Sequence, residues 1–263
     1  MSGVTGIARA ATAALLDELS TTPKPGLVDL EHRGAHRDMC VERLHASACS
    51  LEPFFQEIAT CARGSDVSPQ LREEIGAVGR RAERAMLRAS GGPNTHRGAL
   101  WALGLLVAAA AATETAADAA TITKRVAQLA RLPDRFAGDA SSNGRRAWRR
   151  YGARGARGEA EAGLPSVLDV AFPLVRAGTP RADVLLALLS RVEDTCILHR
   201  GGPRTLVFAR AGARHALALG GTKTSAGLRA TRRLDTSLVA HNASPGGCAD
   251  MLAAAFFLDD IAV

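Results

Sequence analysis

An all-α fold, a single bundle-like domain of about nine helices, is what this sequence predicts, and three observations predict it. Aromatic residues make up only 4% of the 263 residues, while alanine and leucine dominate. No stretch alternates apolar and polar residues with enrichment in β-branched types, so the signature of a half-buried strand is missing. Apolar residues recur instead every three to four positions, the spacing that lines one face of a helix. With 47% hydrophobic and 22% charged residues the chain has the composition of a folding protein, which excludes a disordered or collagen-like one.

The elements follow in order. Ile7, Ala11, Leu15 and Leu19 share one face of a first helix, and after a Pro- and Gly-rich loop residues 41–61 read as a second. Ser68 as N-cap and Pro69 at the first helical position open a third over 68–90, which Gly91, Gly92 and Pro93 stop. Residues 97–112 form the most apolar helix, and 115–132 the next, ended by Pro133. The segment 138–158 is rich in Gly and Arg, carries Trp148 and Tyr151, and shows no apolar period, so it reads as a mobile basic loop within the domain. Thr179 and Pro180 start a helix with the stripe Val184, Leu185, Leu188, Leu189 and Val192. Helices over 204–219, 225–240 and 247–258 complete the set, and no fixed-period repeat suggests a solenoid. One domain over 1–263 is the expectation.

Charge narrows the partners without choosing one. The 33 basic and 26 acidic residues leave +7, nearly all of it arginine, since Lys24, Lys124 and Lys223 are the only lysines. Such a balance attracts nucleic acid, an anionic membrane or a phosphorylated small molecule. The uncharged run 98–113 is shorter than the roughly 20 residues that span a bilayer. Residues 1–20 show no basic head before a continuous apolar stretch, and Asp17 and Glu18 interrupt what apolar character there is. Five cysteines without CxxC pairing fit neither a disulfide framework nor a structural zinc site, so a cytoplasmic chain with no membrane contact is expected.

Four loops combine Gly or Pro with charged residues beside apolar helices, the setting in which sites are built. The first holds Thr22, Pro23, Lys24, Pro25, Gly26 and Asp29 and continues through His36 to Asp38; the second holds Pro93, Asn94, Thr95, His96, Arg97 and Gly98. The third holds Asp194, Cys196, Arg200 and Gly201, and the fourth Ser244, Gly246, Gly247, Cys248 and Asp250. The second and fourth lead small residues into a helix N-terminus, where free amides and the helix dipole favour anions. Neither has the GxxxxGK[ST] pattern, and no GxGxxG follows a strand. Lys24, Arg97 and Arg200 are candidates to neutralise phosphate. Asp29, Asp38, Glu83, Asp194 and Asp250 would suit a magnesium ion if they converged. His36 and His96 are candidates for acid-base or orienting work. A Ser or Cys nucleophile finds no elbow motif, and Cys196 near His199 is the nearest approach.

Taken together the loops resemble the triphosphoribosyl-dephospho-CoA synthase family. The resemblance is carried by TPKPGLVD at 22–29, GAHRDM at 34–39, AERAM at 82–86, PNTHRGALWALGLL at 93–106, GLPSV at 163–167, DTCILHRGG at 194–202 and SPGGCADMLA at 244–253, in the family's order. The family usually has Lys where Arg97 stands, Asn where Cys196 stands and Ser where Cys248 stands. Arg97 keeps the charge.

The resemblance implies a glycosyl transfer from ATP to the 2′-hydroxyl of dephospho-CoA with release of adenine and with magnesium. The product would be the precursor of the prosthetic group of an acyl carrier protein, attached by a separate transferase. The short form resembles the malonate decarboxylase version more than the citrate lyase one. By analogy with glycoside chemistry, carboxylates would stabilise a cationic ribosyl transition state and take the hydroxyl proton. Glu83, Asp194, Asp29 and His96 are then the catalytic candidates, and Asp29, Asp38, Glu83, Asp194 and Asp250 the metal candidates. Lys24, Pro25, Gly26, His36, Asn94, Thr95, Arg97, Gly98, Arg200, Gly201, Ser244, Gly246 and Gly247 would bind substrate. Nucleic acid is not an expected partner, and a homodimer is compatible with the sequence. Two rival readings are a magnesium-dependent hydrolase of ADP-ribose-like compounds and a nucleic-acid-binding module built on Arg145, Arg146, Arg149 and Arg150.

Overall fold

A computed structural model describes residues 3–113, 117–138 and 143–263, and every regular element among them is helical. The α-helices are α1 (Val4–Ser20), α2 (Val41–Cys49), α3 (Glu52–Ala62), α4 (Pro69–Ser90), α5 (Arg97–Ala111), α6 (Ala119–Arg131), α7 (Asn143–Tyr151), α8 (Gly155–Glu161), α9 (Phe172–Arg176), α10 (Arg181–Leu189), α11 (Thr195–Ala218), α12 (Ser225–Ala240) and α13 (Gly246–Ile261). A π-helical turn over Ser166–Ala171 leads into α9, and a 3₁₀ turn over Gly221–Lys223 precedes α12.

The all-α expectation holds, with more and shorter helices than nine. Residues 41–61 divide because Pro53 has no N–H to give to a continuing helix and instead sits in the first turn of a new one. Ser68 caps α4 as its sequence suggests, its Oγ accepting from the Leu71 N–H at 3.2 Å, and Gly91 ends it at φ 74°. The expected start at Thr115 lies outside the described residues; α6 begins after Asp118, whose carboxylate accepts from the Thr121 N–H at 2.7 Å. Residues 139–142 of the expected loop 138–158 also lie outside them, and the described remainder is helical in α7 and α8. The apolar side of α7 is short, with Ala147 buried and Tyr151 half-buried, which left no period to read. The stretch 195–201, expected as loop, is the first limb of α11, and the helix bends where Gly202 takes φ 74° ahead of Pro203.

The core is built around α5 and α13, which are buried on nearly all sides. α13 packs against α1, α5 and α10, and α3 fills the angle between α1 and α5. Phe55, Leu103, Leu106, Phe257 and Leu258 are fully buried there, and each such side chain contributes about 1.5–3 kcal/mol by leaving water. No helix among the described residues is long and apolar enough to cross a membrane.

Candidate functional site

The C-terminal end of α1 and the N-terminal ends of α5, α11 and α13 meet on one side of this core, and the 21–40 loop folds over them. They enclose a cavity of about 290 Å³. Leu15, Leu27, Val28, Met39, Leu44 and Ala253 give it an apolar wall; Glu18, Lys24, His36, Asp38, His96, Arg97, His199, Arg200 and Asp250 supply its ionisable groups. A second groove of about 380 Å³ between α11 and α12 is lined by Phe208, His215, Leu219, Arg229 and Arg233 but holds no carboxylate. The smaller cavity is the candidate site, because carboxylates, cations and helix N-termini converge there.

The loop is held in shape by its own aspartate. Asp29 is buried; its Oδ2 accepts from the Lys24 N–H at 3.0 Å, and its Oδ1 from the Glu31 and His32 N–H groups at 2.9 and 3.0 Å. The turn so closed delivers Lys24 into the cavity with only 2% of its surface exposed. There the Lys24 ammonium donates to Glu18 Oε1 at 2.7 Å and to the Glu18 carbonyl at 2.9 Å. Gly26 lets the loop pass close to the chain entering α13: at its φ of 74°, a Cβ would stand 2.5 Å from the Ala243 carbonyl oxygen. Its N–H donates to Asp235 Oδ1 at 2.9 Å.

His36 and Arg200 close one side. Arg200 Nη2 donates to His36 Nδ1 at 3.3 Å, which leaves the ring proton on Nε2 to reach Ser244 Oγ at 2.8 Å. Arg200 Nη1 also donates to the Ala35 carbonyl at 3.0 Å and to Asn242 Oδ1 at 3.2 Å, tying the loop to the α12–α13 connection. On the other side Asn94 Oδ1 accepts from the Arg97 N–H at 3.1 Å and starts α5. His96 is buried, its Nδ1 bonded to Ser47 Oγ at 2.9 Å, and Ser47 Oγ meets Thr95 Oγ1 at 2.6 Å. The other ring nitrogen, Nε2, has no partner among the described residues. Arg97 is ion-paired to Glu83 on α4.

Two aspartates, the buried Asp194 and the partly buried Asp250, tie three helix N-termini together. Asp194 caps α11, accepting from the Cys196 and Ile197 N–H groups at 2.8 and 3.0 Å, and its other oxygen accepts from the Cys248 N–H of α13 at 2.9 Å. Asp250, in the first turns of α13, lies against the N-terminus of α5 beside Gly98, where the Ala99 N–H favours its charged form. It fits only because residue 98 is glycine, since a Cβ there would lie 1.8 Å from Asp250 Oδ2.

Burial sets the protonation states. It is the main cause that pushes His36 down to about 4, helped by the Arg200 charge and opposed by Asp38, and His96 down to about 4, helped by Lys24. Burial, then the negative charges of Asp194 and Glu18, push the Asp250 carboxyl well above the carboxylate range against the Ala99 N–H. Burial also raises Asp194, against the three amides it accepts. The Cys196 and Cys248 thiols are pushed up by burial too, which removes both as thiolate nucleophiles.

A pH dependence follows from the histidines. An unfolded chain takes up protons on them below pH 6.5, whereas the folded chain resists until about 4, so their stabilisation is present above 6.5 and lost as pH falls through 4. The raised aspartates act in the opposite sense, so the measurement is a difference. In urea titrations the stability gap between the wild type and His96→Gln should shrink as pH goes from 7 to 4; a constant gap would deny the buried neutral imidazole.

Of the residues singled out from sequence, Lys24, His36, Asp38, Asn94, Thr95, His96, Arg97, Gly98, Arg200, Ser244, Gly246 and Asp250 line the cavity. Pro25, Gly26, Asp29, Glu83, Asp194, Gly201 and Gly247 are not on its wall. For Asp29 and Asp194 the reason is that backbone amides occupy their carboxylates, and for Glu83 that Arg97 stands between. Gly201 lies within the first limb of α11, and Gly247 packs against Asp194. The five candidate metal ligands are therefore not assembled, and no group of three or more His, Cys, Asp or Glu among the described residues is placed to hold a metal ion. Glu18 was missed. Its signal was a carboxylate on the apolar stripe of α1, between Leu15 and Leu19, six residues before Lys24.

The family model described as ATP:dephospho-CoA triphosphoribosyl transferase matches residues 5–263. A protein of Klebsiella pneumoniae named 2-(5''-triphosphoribosyl)-3'-dephosphocoenzyme-A synthase is 44% identical over 99% of this chain and 96% of its own length. One from Pseudomonas fluorescens strain Pf-5, named "Probable 2-(5''-triphosphoribosyl)-3'-dephosphocoenzyme-A synthase", is 47% identical over 97% of this chain and 91% of its own. A relative from Azotobacter vinelandii with that same name is 46% identical over 95% and 89%. No solved structure matches the chain.

Proposed function

Because the chain belongs to the ATP:dephospho-CoA triphosphoribosyl transferase family, we propose that its cavity moves the triphosphoribosyl group of ATP to the 2′-hydroxyl of dephospho-CoA and makes the prosthetic-group precursor of malonate decarboxylase. The observation that carries this reading is one cavity in which Lys24, Arg97 and Arg200 and the N-termini of α5 and α13 surround the carboxylates Glu18 and Asp250.

The reaction exchanges one bond at ribose C1′, so the triphosphate has to stay intact. Lys24, Arg97 and Arg200 hold it through charge-assisted bonds, with the amides that follow Asn94, Thr95 and Ser244 at Gly98 and Gly246. Held at several points, the ribose is oriented for attack before the bond breaks. His36 and His96 remain neutral in the cavity; His96 orients adenine through its Nε2, while His36 positions Arg200 and Ser244. Asp29 acts by presenting Lys24, Glu83 by steering Arg97, and Asp194 by joining α11 to α13. Magnesium enters as the counter-ion of the triphosphate, bound with the substrate by phosphate oxygens and water, which is its usual mode. It is not a resident of the five-carboxylate set.

The test is incubation of the purified protein with ATP, magnesium and dephospho-CoA, followed by mass spectrometry. Free adenine and an adduct that keeps three phosphates are the expected products. Adenine-free hydrolysis products without the acceptor would point to the ADP-ribose-type hydrolase, and salt-sensitive nucleic-acid binding without adenine release to the third reading. Passing the product to a carrier-protein transferase with either the malonate decarboxylase or the citrate lyase carrier should label the former.

A further inference from the structure

We propose that Glu18 and Asp250 divide the proton work of this transfer, Asp250 giving its proton to the departing adenine and Glu18 receiving that of the acceptor hydroxyl. This rests on the reading above and adds to it a residue on α1 that no loop motif contains.

The two carboxyls sit in one cavity but in opposite settings. Glu18 is buried and paired at 2.7 Å with the Lys24 ammonium, which places an ion-paired carboxylate on the cavity wall. Asp250 forms no ion pair among the described residues; it faces the Gly98 backbone at the start of α5. Burial and the neighbouring charges of Asp194 and Glu18 hold its proton in place. Two carboxyls in one cavity, one ion-paired and one not, are suited to serve as base and acid. The helices that carry them, α1 and α13, pack directly on each other, so the two groups keep a fixed relation.

The balance closes without an outside reagent. The C1′–N9 bond breaks, its electron pair goes to the adenine ring, and the Asp250 proton follows to a ring nitrogen. The acceptor oxygen bonds to C1′ and its hydrogen passes to Glu18. Return of that proton from Glu18 to Asp250, which lie close enough to feel each other's charge, restores the starting state. The anionic Glu18 also opposes the positive charge that builds on the ribose.

Two variants with matched substrates test the division. Asp250→Asn should lose about 10²–10⁴ in turnover on ATP, yet come within about tenfold of the wild type on an analogue methylated at adenine N7, whose cationic base leaves without protonation. Glu18→Ala should be slow on both when dephospho-CoA is the acceptor, while azide, a nucleophile with no proton to lose, should restore adenine release and yield an azidoribosyl triphosphate. Equal losses of Asp250→Asn on both nucleotides would overturn the acid assignment, and no azide product would overturn the base. Asp250→Asn keeps the volume of the side chain, so its arm stands even where Glu18→Ala unfolds. A wild type that forms no adduct at all would instead count against the transferase reading.

Discussion

Lys24→Met should lower the free energy of unfolding by about 3–5 kcal/mol, the usual consequence of stripping one partner from a buried ion pair. Lys24 is 2% and Glu18 5% exposed, so the methionine leaves a carboxylate with neither water nor a counter-charge. The Glu18 carbonyl loses its 2.9 Å donor at the same time. For a chain of this size the midpoint of thermal unfolding should fall by roughly 10 °C, at the 2–4 °C per kcal/mol typical of domains a little smaller. The double variant Glu18→Gln with Lys24→Met removes both charges and should regain most of the stability without regaining turnover. Guanidinium titrations of the three proteins measure this. A single variant within about 1 kcal/mol of the wild type would mean that the pair is solvated after all.

Asp194→Ala should be at least as damaging. It strands three N–H groups at once, those of Cys196, Ile197 and Cys248. A buried donor left without a partner costs about 1–3 kcal/mol, and because the Cys196 N–H is only partly buried the three together should cost about 3–6 kcal/mol. Asp194→Asn should recover only part of it, because an amide offers one acceptor oxygen and turns its NH₂ toward one of the donors. Hydrogen exchange at the Cys248 amide is the local readout: it should quicken in both variants, while amides at the far end of α4 keep their rates. Unchanged exchange at Cys248 would separate α11 from α13 energetically.

The fold was legible where a local signal fixes a boundary. Ser68 with Pro69 forms a capping pair whose work is done within four positions, and it stands where the sequence puts it. Pro53 was equally local and was read over, because 41–61 keeps its apolar residues across the break. α7 could not be seen from pattern, since its four arginines swamp a face made of Ala147 and Tyr151. In the site, the type of residue was legible and the use was not. Asp29 and Asp194 were picked as carboxylates beside glycine loops, yet their partners are amides. One of those, Cys248, is 54 residues away, and no spacing rule reaches so far. Glu18 was hidden for the opposite reason, as an acid inside an apolar stripe that reads as an interruption until Lys24 is found against it.

The central place of α13 bears on how the chain matures. α13 follows in sequence every helix it packs against, and it supplies the Asp250 wall of the cavity as well as the middle of the core. During synthesis α1, α5 and α10 leave the ribosome with their shared apolar seat vacant, the kind of exposed surface on which nascent chains aggregate and chaperones act. Completion of the interior and birth of the binding pocket are thus one event, and an N-terminal fragment that stops short of α13 has neither.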